Sequence, residues 1–557
     1  MVRTKFSVSE YRFFNILMKI KGIRRYLLKI KKVNMLLYPS DVFSINVMSL
    51  RMALKAFLIS AAICIVCMLS GKMHMHGYVI MAVIIVILNG EILNKSFEKI
   101  QLKLLIQLEN YLGEVRHYFH MNGILEDAIY DSMENCDYEI SLHINRIYDI
   151  LMSDDDDKCF AYKDMAPNKY FMTFMALCEL VMQYGDTVKD DRSLFLENLN
   201  SLRDEIRNEI MKLQKTAYVF SGLMPMCLIP PLTLKLIENW GESNIPELCA
   251  YYDGKYGLVV SVLICLISIS AYMLINRLKE SYRYTDNSSG LLSFISDIPF
   301  VDELIGRYMF NKPVYVKSIH DSLKRAASKV SVKEYIIRKW LASIVTFVVL
   351  CVLYAYFIIL PGTDGSYNTY LPVVVPMILL VSIAAGKVSD VALGLRMVFI
   401  KSSMEDEVLA FHSIIIMLMH ISRMDVLTIL EWMENFAQIF KASLMECVNS
   451  FSYNDEDALL QLENNEPYLP FVRIVGNLRS SDNVGIEKAF EEIYSQRKYF
   501  IEKRKQDNEI SIANKGAIGR VVAFVPMIVT IGLYLIIPFV MQSMSQLMGY
   551  VNQMGNL

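Results

Sequence analysis

The stretch LNSLRDEIRNEIMKLQK, Leu199 to Lys215, runs without a breaker into TAYVFSGLMPMCLIPPLTLKLI, Thr216 to Ile237. In its first half Leu199, Leu202, Ile206, Ile210 and Leu213 recur every three or four residues, which places them on one face of a helix. The second half is apolar over about 20 residues, the length that crosses a bilayer. One helix is therefore expected to leave a packed, charged domain and enter a membrane. Pro225, Pro230 and Pro231 should kink its apolar part, because proline cannot donate to the helix ladder.

The same alternation extends outward along the chain. Hydrophobic residues make up 54% of the 557 positions, and they gather in runs. Seven runs read as spans: Ala56 to Ser70, Gly77 to Leu93, Thr216 to Ile237, Tyr256 to Ile275, Trp340 to Leu360, Leu371 to Gly386, and Val521 to Met541. The first two are short and are expected to thin the bilayer, to extend into the interface, or to form a tightly connected hairpin through Gly71 to His76. The expected class is an all-α integral membrane protein of about seven transmembrane helices carrying two cytosolic antiparallel helix-bundle domains. The first 50 residues are basic and amphipathic and lack an apolar core followed by a small-residue cleavage site, so the first span is expected to be retained.

Orientation follows from charge, since Lys and Arg beside span ends stay on the cytosolic side. Arg24, Arg25, Lys29, Lys31 and Lys32 cluster before the first span, opposed only by Glu10 and Asp41. Lying on anionic headgroups is favoured for this cluster over docking a partner. Counting spans from a cytosolic N-terminus places outside the acidic loop Glu238 to Lys255, the turn Pro361 to Tyr370 and the chargeless tail after Met541. The expected order is a basic N-terminal segment (1–55), a transmembrane hairpin (56–94), a first cytosolic helical domain (95–215), a transmembrane pair (216–275), a cytosolic linker (276–339), a second pair (340–386), a second helical domain (387–520) and a last span (521–541).

Both domains read as helical. Leu104, Leu108, Leu112, Val115 and Phe119 line one face of a helix that Asn122-Gly123 should end. In the second domain Phe490, Ile493, Phe500 and Ile501 form a stripe leading through Glu502 to Asp507 into the last span. Met133-Glu134-Asn135 matches Met433-Glu434-Asn435 and Pro225-Met226 matches Pro526-Met527, at offsets of 300 and 301. Between these anchors Leu177 meets Leu478 and Gly185 meets Gly485. Each half is thus expected to be a copy of one unit in one orientation, a parallel repeat, with chance similarity of amphipathic helices as the alternative.

Several chemistries have no support. A net charge of -2 gives no global field for nucleic acid. Gly71-Lys72 and Gly386-Lys387 lack the glycine spacing and the Ser or Thr of a phosphate loop, so the chain is not expected to hydrolyse ATP. There is no HExxH and no GxSxG. His117 and His120 lack an acidic third ligand and read as surface histidines. Cys64 and Cys67 form a CxxC inside an apolar run, where packing is favoured over redox chemistry. Asp154 to Asp157 lacks the alternating spacing of a calcium loop and reads as a solvated connection. No catalytic, cofactor-binding or metal residue is expected, and the nearly uncharged spans, with Glu91 and Lys235 near their ends, argue against an ion-coupled carrier.

The arrangement of two spans, a helical domain and returning spans, duplicated, resembles the F-domain platform family of type II secretion and type IV filament machines. It is most similar to the Tad (tight adherence) pilus platform pair, joined here in one chain. The residues that carry the resemblance are Leu323-Lys324-Arg325-Ala326-Ala327 followed by Val332-Lys333-Glu334-Tyr335 before a span, Tyr184-Gly185-Asp186 at the turn before the last cytosolic helix, and Pro225 or Pro526 in the span that follows. Gly185, Asp186 and Gly485 stand where the family has its Gly-Glu-x-x-Gly turn. The resemblance implies a non-enzymatic role in the bacterial plasma membrane. Its implied partners are a cytosolic secretion ATPase, pilin subunits, other pilus assembly proteins, the lipid bilayer and further copies of the chain. A permease subunit of a transporter or exporter is the alternative.

Overall fold

The computed structural model describes residues 5–39, 41–68, 75–153, 162, 166–186, 188–189, 192–252, 254–279, 299–325, 330–354, 367–419, 424–466 and 468–555. These are almost entirely helical; the sole strand pair among them is a two-residue ladder, β1 (Val188–Lys189) with antiparallel β2 (Arg192–Ser193). The chain divides into two compact units, residues 1–279 with 416–423 and 490–557, and residues 280–415 with 424–489. Asp154 to Asp157, Ala326, Ala327 and the side chains of Arg25, Cys64, Cys67, Lys324, Arg325 and Phe500 lie outside the described residues.

In the first unit α1 (Lys5–Leu17) and α2 (Lys21–Met35) precede a long hairpin of α3 (Val42–Met68) and α4 (Met75–Asn122). Then follow α5 (Leu125–Glu134), α6 (Tyr138–Leu151), α7 (Lys169–Tyr184), α8 (Leu194–Ser221), α9 (Leu223–Asn244), a short α10 (Cys249–Tyr252) and α11 (Lys255–Lys279). The expected stop of α4 is met: Gly123 has φ +68°, a left-handed conformation open to glycine without steric cost. Leu104, Leu108, Leu112, Val115 and Phe119 are all buried, and they pack with aromatic rings from the later helices. Phe119 meets Phe195 edge-on at 4.7 Å and Tyr111 meets Phe174 at 5.9 Å. Each such side chain stabilises the bundle by about 1.5–3 kcal/mol through burial. Across the surface of the bundle Glu109 receives Arg203 at 2.9 Å and Arg207 at 2.8 Å, tying α4 to α8.

The second unit contains α12 (Pro299–Asn311), α13 (Pro313–Arg325), α14 (Val332–Tyr354), most of α15 (Tyr367–Leu418), α16 (Val426–Phe436), α17 (Lys441–Phe451), α18 (Asp455–Asn465) and α19 (Leu469–Val484). Its bundle buries the same positions as the first. Leu104, Leu108, Tyr111 and Val115 correspond at an offset of 300 to Met404, Val408, Phe411 and Ile415, all buried. So do Ile140, Ile144 and Ile147 to Phe440, Leu444 and Cys447, and Phe171, Phe174 and Cys178 to Phe471, Ile474 and Leu478. Between α5 and α16 the register is 301: Ala128, Ile129 and Ser132 answer to Ile429, Leu430 and Met433, each 0% exposed. α7 and α19 are each 16 residues long.

α20 (Ile486–Thr530) returns from the second bundle and belongs to the first unit from Phe490 onward. It continues through a π-helical turn, Ile531–Ile536, into α21 (Ile537–Gly555).

Among the described residues four stretches are long and apolar enough to cross a membrane: Val42–Ile63, Leu194–Asn244, Tyr256–Lys279 and Ile501–Met544. The second of these joins α8 to α9, as the opening stretch of sequence predicts, with an interruption at Gly222 only. Pro225 accounts for the interruption, since its nitrogen cannot donate to the Ser221 carbonyl one turn back. The other three runs read as spans lie on α4, α14 and α15, with residues 355–360 outside the described set.

Candidate functional site

Two of the membrane-length helices run side by side in the first unit. The Tyr494 hydroxyl lies 3.2 Å from a Glu197 carboxylate oxygen, and Lys215 bonds Glu509 at 2.5 Å. Farther along, Gly516 faces Val219, Gly519 faces Leu223 and Phe220, and Tyr534 donates to Glu238. Contacts that advance together along both chains define a parallel pair, α8–α9 beside α20–α21. From Glu197 to Glu238 the pair extends about 60 Å at 1.5 Å per residue. Small residues set its closest approach. A Cβ on Gly516 would stand 2.6 Å from Val219 Cγ1, and one on Gly519 2.9 Å from Leu223 Cδ1, the kind of close contact that small residues permit between membrane helices.

The far end of the pair holds a buried polar cluster. Lys235 Nζ lies 2.6 Å from Glu238 Oε2, with side chains 12% and 6% exposed. The other carboxylate oxygen accepts from the Tyr534 hydroxyl. Glu238 sits three residues beyond Lys235 on the same helix face, so the sequence places the two within reach; Tyr534 comes from the other end of the chain. The π turn matters here because its wider ring leaves main-chain carbonyls open to a second donor. Tyr256 donates to the Leu533 carbonyl at 2.5 Å and Tyr252 to the Tyr534 carbonyl at 3.2 Å. Tyr252 also packs at a tilt against the Tyr534 ring, 5.1 Å between centroids, and lies against Gly241, where a Cβ would come within 2.9 Å of its ring. Leu234, Leu248, Val260 and Ile264 enclose the cluster. An ion pair removed from water holds helices together only when its remaining valences are bonded, as here by Tyr534.

The arrangement is a latch. Among the described residues no group of three or more His, Cys, Asp or Glu converges on a metal position. A second polar contact ties α4 to α11: Tyr272 donates to Glu91 at 3.0 Å and Lys279 bonds Glu98 at 2.7 Å.

The residues singled out in the sequence fall elsewhere. Arg24, Lys29 and Lys32 are exposed on α2 and Lys31 is half-buried. Gly185 and Gly485 end α7 and α19 in the same way, with φ +79° and +84° and each N–H donating to a carbonyl four residues back at 2.8 Å. Asp186 Oδ1 accepts from Phe195 N at 3.1 Å, fixing the start of α8. His117 and His120 are exposed. Sequence reasoning placed Lys235 near a span end and Glu238 in a loop, and missed Tyr534, Tyr252 and Tyr256. Only the Lys235-Glu238 spacing could have pointed to the latch.

No family model, no curated protein and no solved structure matches the chain.

Proposed function

We propose that this chain is a non-enzymatic, multi-pass platform of a bacterial plasma membrane, which couples a cytosolic secretion-type ATPase to pilin assembly in a type IV filament or Tad-like machine. In this reading the chain is a fused, tandemly duplicated member of the F-domain platform family with seven spans, a cytosolic N-terminus and an external C-terminus. Both bundles face the cytosol and meet the ATPase. The external side meets pilins and other assembly proteins, and copies of the chain associate. The observation that carries the reading is the parallel helix pair: α8 closes the first bundle and continues into a membrane-length segment beside α20 and α21, so a push on that bundle is delivered along the rod to the latch at the far end. The matched burial of the two bundles supports the duplication, and the shared glycine turns that follow α7 and α19 support the family.

The test is recovery of the chain from cross-linked host membranes. A hexameric secretion ATPase and a small pilin with one N-terminal apolar helix are the expected companions. Recovery instead with a dedicated nucleotide-binding subunit, and solute transport by that reconstituted pair, would establish the permease reading and overturn the platform.

A further inference from the structure

The N-terminal hairpin of α1 and α2 lies beside the first two long helices, and its contacts fix its depth. Tyr26 donates to Asn89 at 2.5 Å, Ile30 packs with Leu93, and Leu37 and Tyr38 pack with Leu104. α2 therefore runs parallel to α4, each residue level with one some 63 to 67 positions later in the chain. By that register Ile20 and Ile23 stand level with Val83 and Val86, inside the apolar run Gly77 to Leu93. α1 is held in place by Phe14 against Leu27 and Leu50, by a Tyr11–Phe43 stack at 5.4 Å and by Glu10–Arg51 at 2.9 Å. Yet the turn between the helices is bare: Ile16 is 58% and Ile20 50% exposed, and Phe13 and Ile23 are exposed as well. Lys19 and Arg24 flank this apolar tip, and Lys29 and Lys32 follow on the exposed side of α2.

We propose that the turn joining α1 and α2 inserts into one leaflet of the bilayer and that Arg24, Lys29 and Lys32 bind anionic phospholipid headgroups above it. Two features select lipid as the occupant. The tip is level with an apolar run whose own Val83 and Val86 are exposed, so it continues a surface that hydrocarbon would cover. The charges that follow along α2 are cationic, and by the same register Arg24, Lys29 and Lys32 stand level with Ile87, Ile92 and Lys95, toward and past the end of the apolar run, where long side chains reach the headgroup layer. This inference stands apart from the platform reading, since it concerns only the hairpin and the lipid.

Full-length chain in nanodiscs provides the test. Tryptophan is placed at the tip by Ile20→Trp and at the opposite, exposed end of α2 by Met35→Trp, and the emission added over the parent protein is read against acyl-chain-brominated lipid. The Ile20→Trp signal is expected to be quenched by about half or more while the Met35→Trp signal is not, because bromine on the acyl chain reports residues buried below the headgroups. Equal signals for the two variants would overturn the insertion. In discs of phosphatidylcholine with phosphatidylglycerol, the exposed triple variant Arg24→Ala, Lys29→Ala, Lys32→Ala is expected to retain about threefold less phosphatidylglycerol by mass spectrometry. Unchanged retention would overturn the anionic headgroup contact.

Discussion

The two helical bundles bury the same positions and secure the start of their third helix by different chemistry. In the first, Gln107 donates to Glu139 at 3.0 Å, with Lys103 at 2.5 Å and Tyr38 at 3.2 Å on the same carboxylate. In the second, the residue in the Gln107 position is Glu407, itself buried. Its two oxygens accept three consecutive backbone N–H groups ahead of α17: Gln438 at 2.8 Å, Ile439 at 2.9 Å and Phe440 at 3.2 Å. A negative charge meets the helix start in both bundles, supplied from opposite partners. The apolar pattern specifies the bundle, and the polar groups that finish it are free to change sides provided that the charge is satisfied.

That comparison breaks first at Glu407. Glu407→Ala leaves three donors without their acceptor, the one at Phe440 fully buried, and should destabilise the second bundle by about 2 kcal/mol. Hydrogen exchange would show it as lost protection at Gln438 to Phe440, with the first bundle unchanged.

A second asymmetry is acid sensitivity. Burial pushes His143 down to about 4, against the Leu36 carbonyl that its Nε2–H donates to at 2.8 Å, while Arg146 lowers it further. The position 300 residues later holds Ser443. Because the folded value lies below the unfolded one, near 6.5, the unfolded chain binds the extra proton between these values. The stabilisation is complete above the unfolded value and lost as pH falls toward the folded one, at most about 3 kcal/mol. Melting from pH 7 to 4 should show the first bundle losing stability ahead of the second, and His143→Phe should flatten its slope. Glu139 contributes in the same direction at lower pH: burial raises its carboxyl, and the Lys103 and Gln107 bonds outweigh burial to hold it below the usual range.

Exchanging one hydroxyl sharpens the contrast. Tyr111 donates to the Ile129 carbonyl at 3.1 Å, whereas Phe411 packs on Phe440 and Phe471. Tyr111→Phe should cost about 1 kcal/mol and Phe411→Tyr about 2, because the latter buries a hydroxyl in an aromatic setting. Thermal denaturation of the two variants measures the difference. Where the bundles agree, the effects should match: Gly185→Ala and Gly485→Ala each force a side chain into a glycine conformation, at about 1 kcal/mol apiece. Unequal losses in the same melts would show that the two turns are not equivalent.

Much of this was legible in the sequence. The stripe from Leu104 to Phe119, its stop at Gly123, and the run from Leu199 into the apolar segment all depend on local spacing. Matching letters served less well than helix phase. Met133 and Met433 share an identity, but the buried partner of Met433 is Ser132, and the partner of Leu478 is Cys178 where Leu177 was expected. Likewise Pro526 stands level with Pro230 in the helix pair, although the letter match was to Pro225. The latch was not legible, because Glu238 and Tyr534 are 296 residues apart and neither carries a local pattern.

The central claim is that motion of the first bundle passes along α8 and α9, one rod interrupted at Gly222 only, into the membrane-length segment. A flexible Gly-Ser insertion after Lys215, made in the native host, tests it most directly by severing the rod between bundle and bilayer. The account predicts that the chain still inserts and still recovers its cytosolic partner, while assembled surface filaments are lost. Unchanged filament assembly in that variant would contradict it.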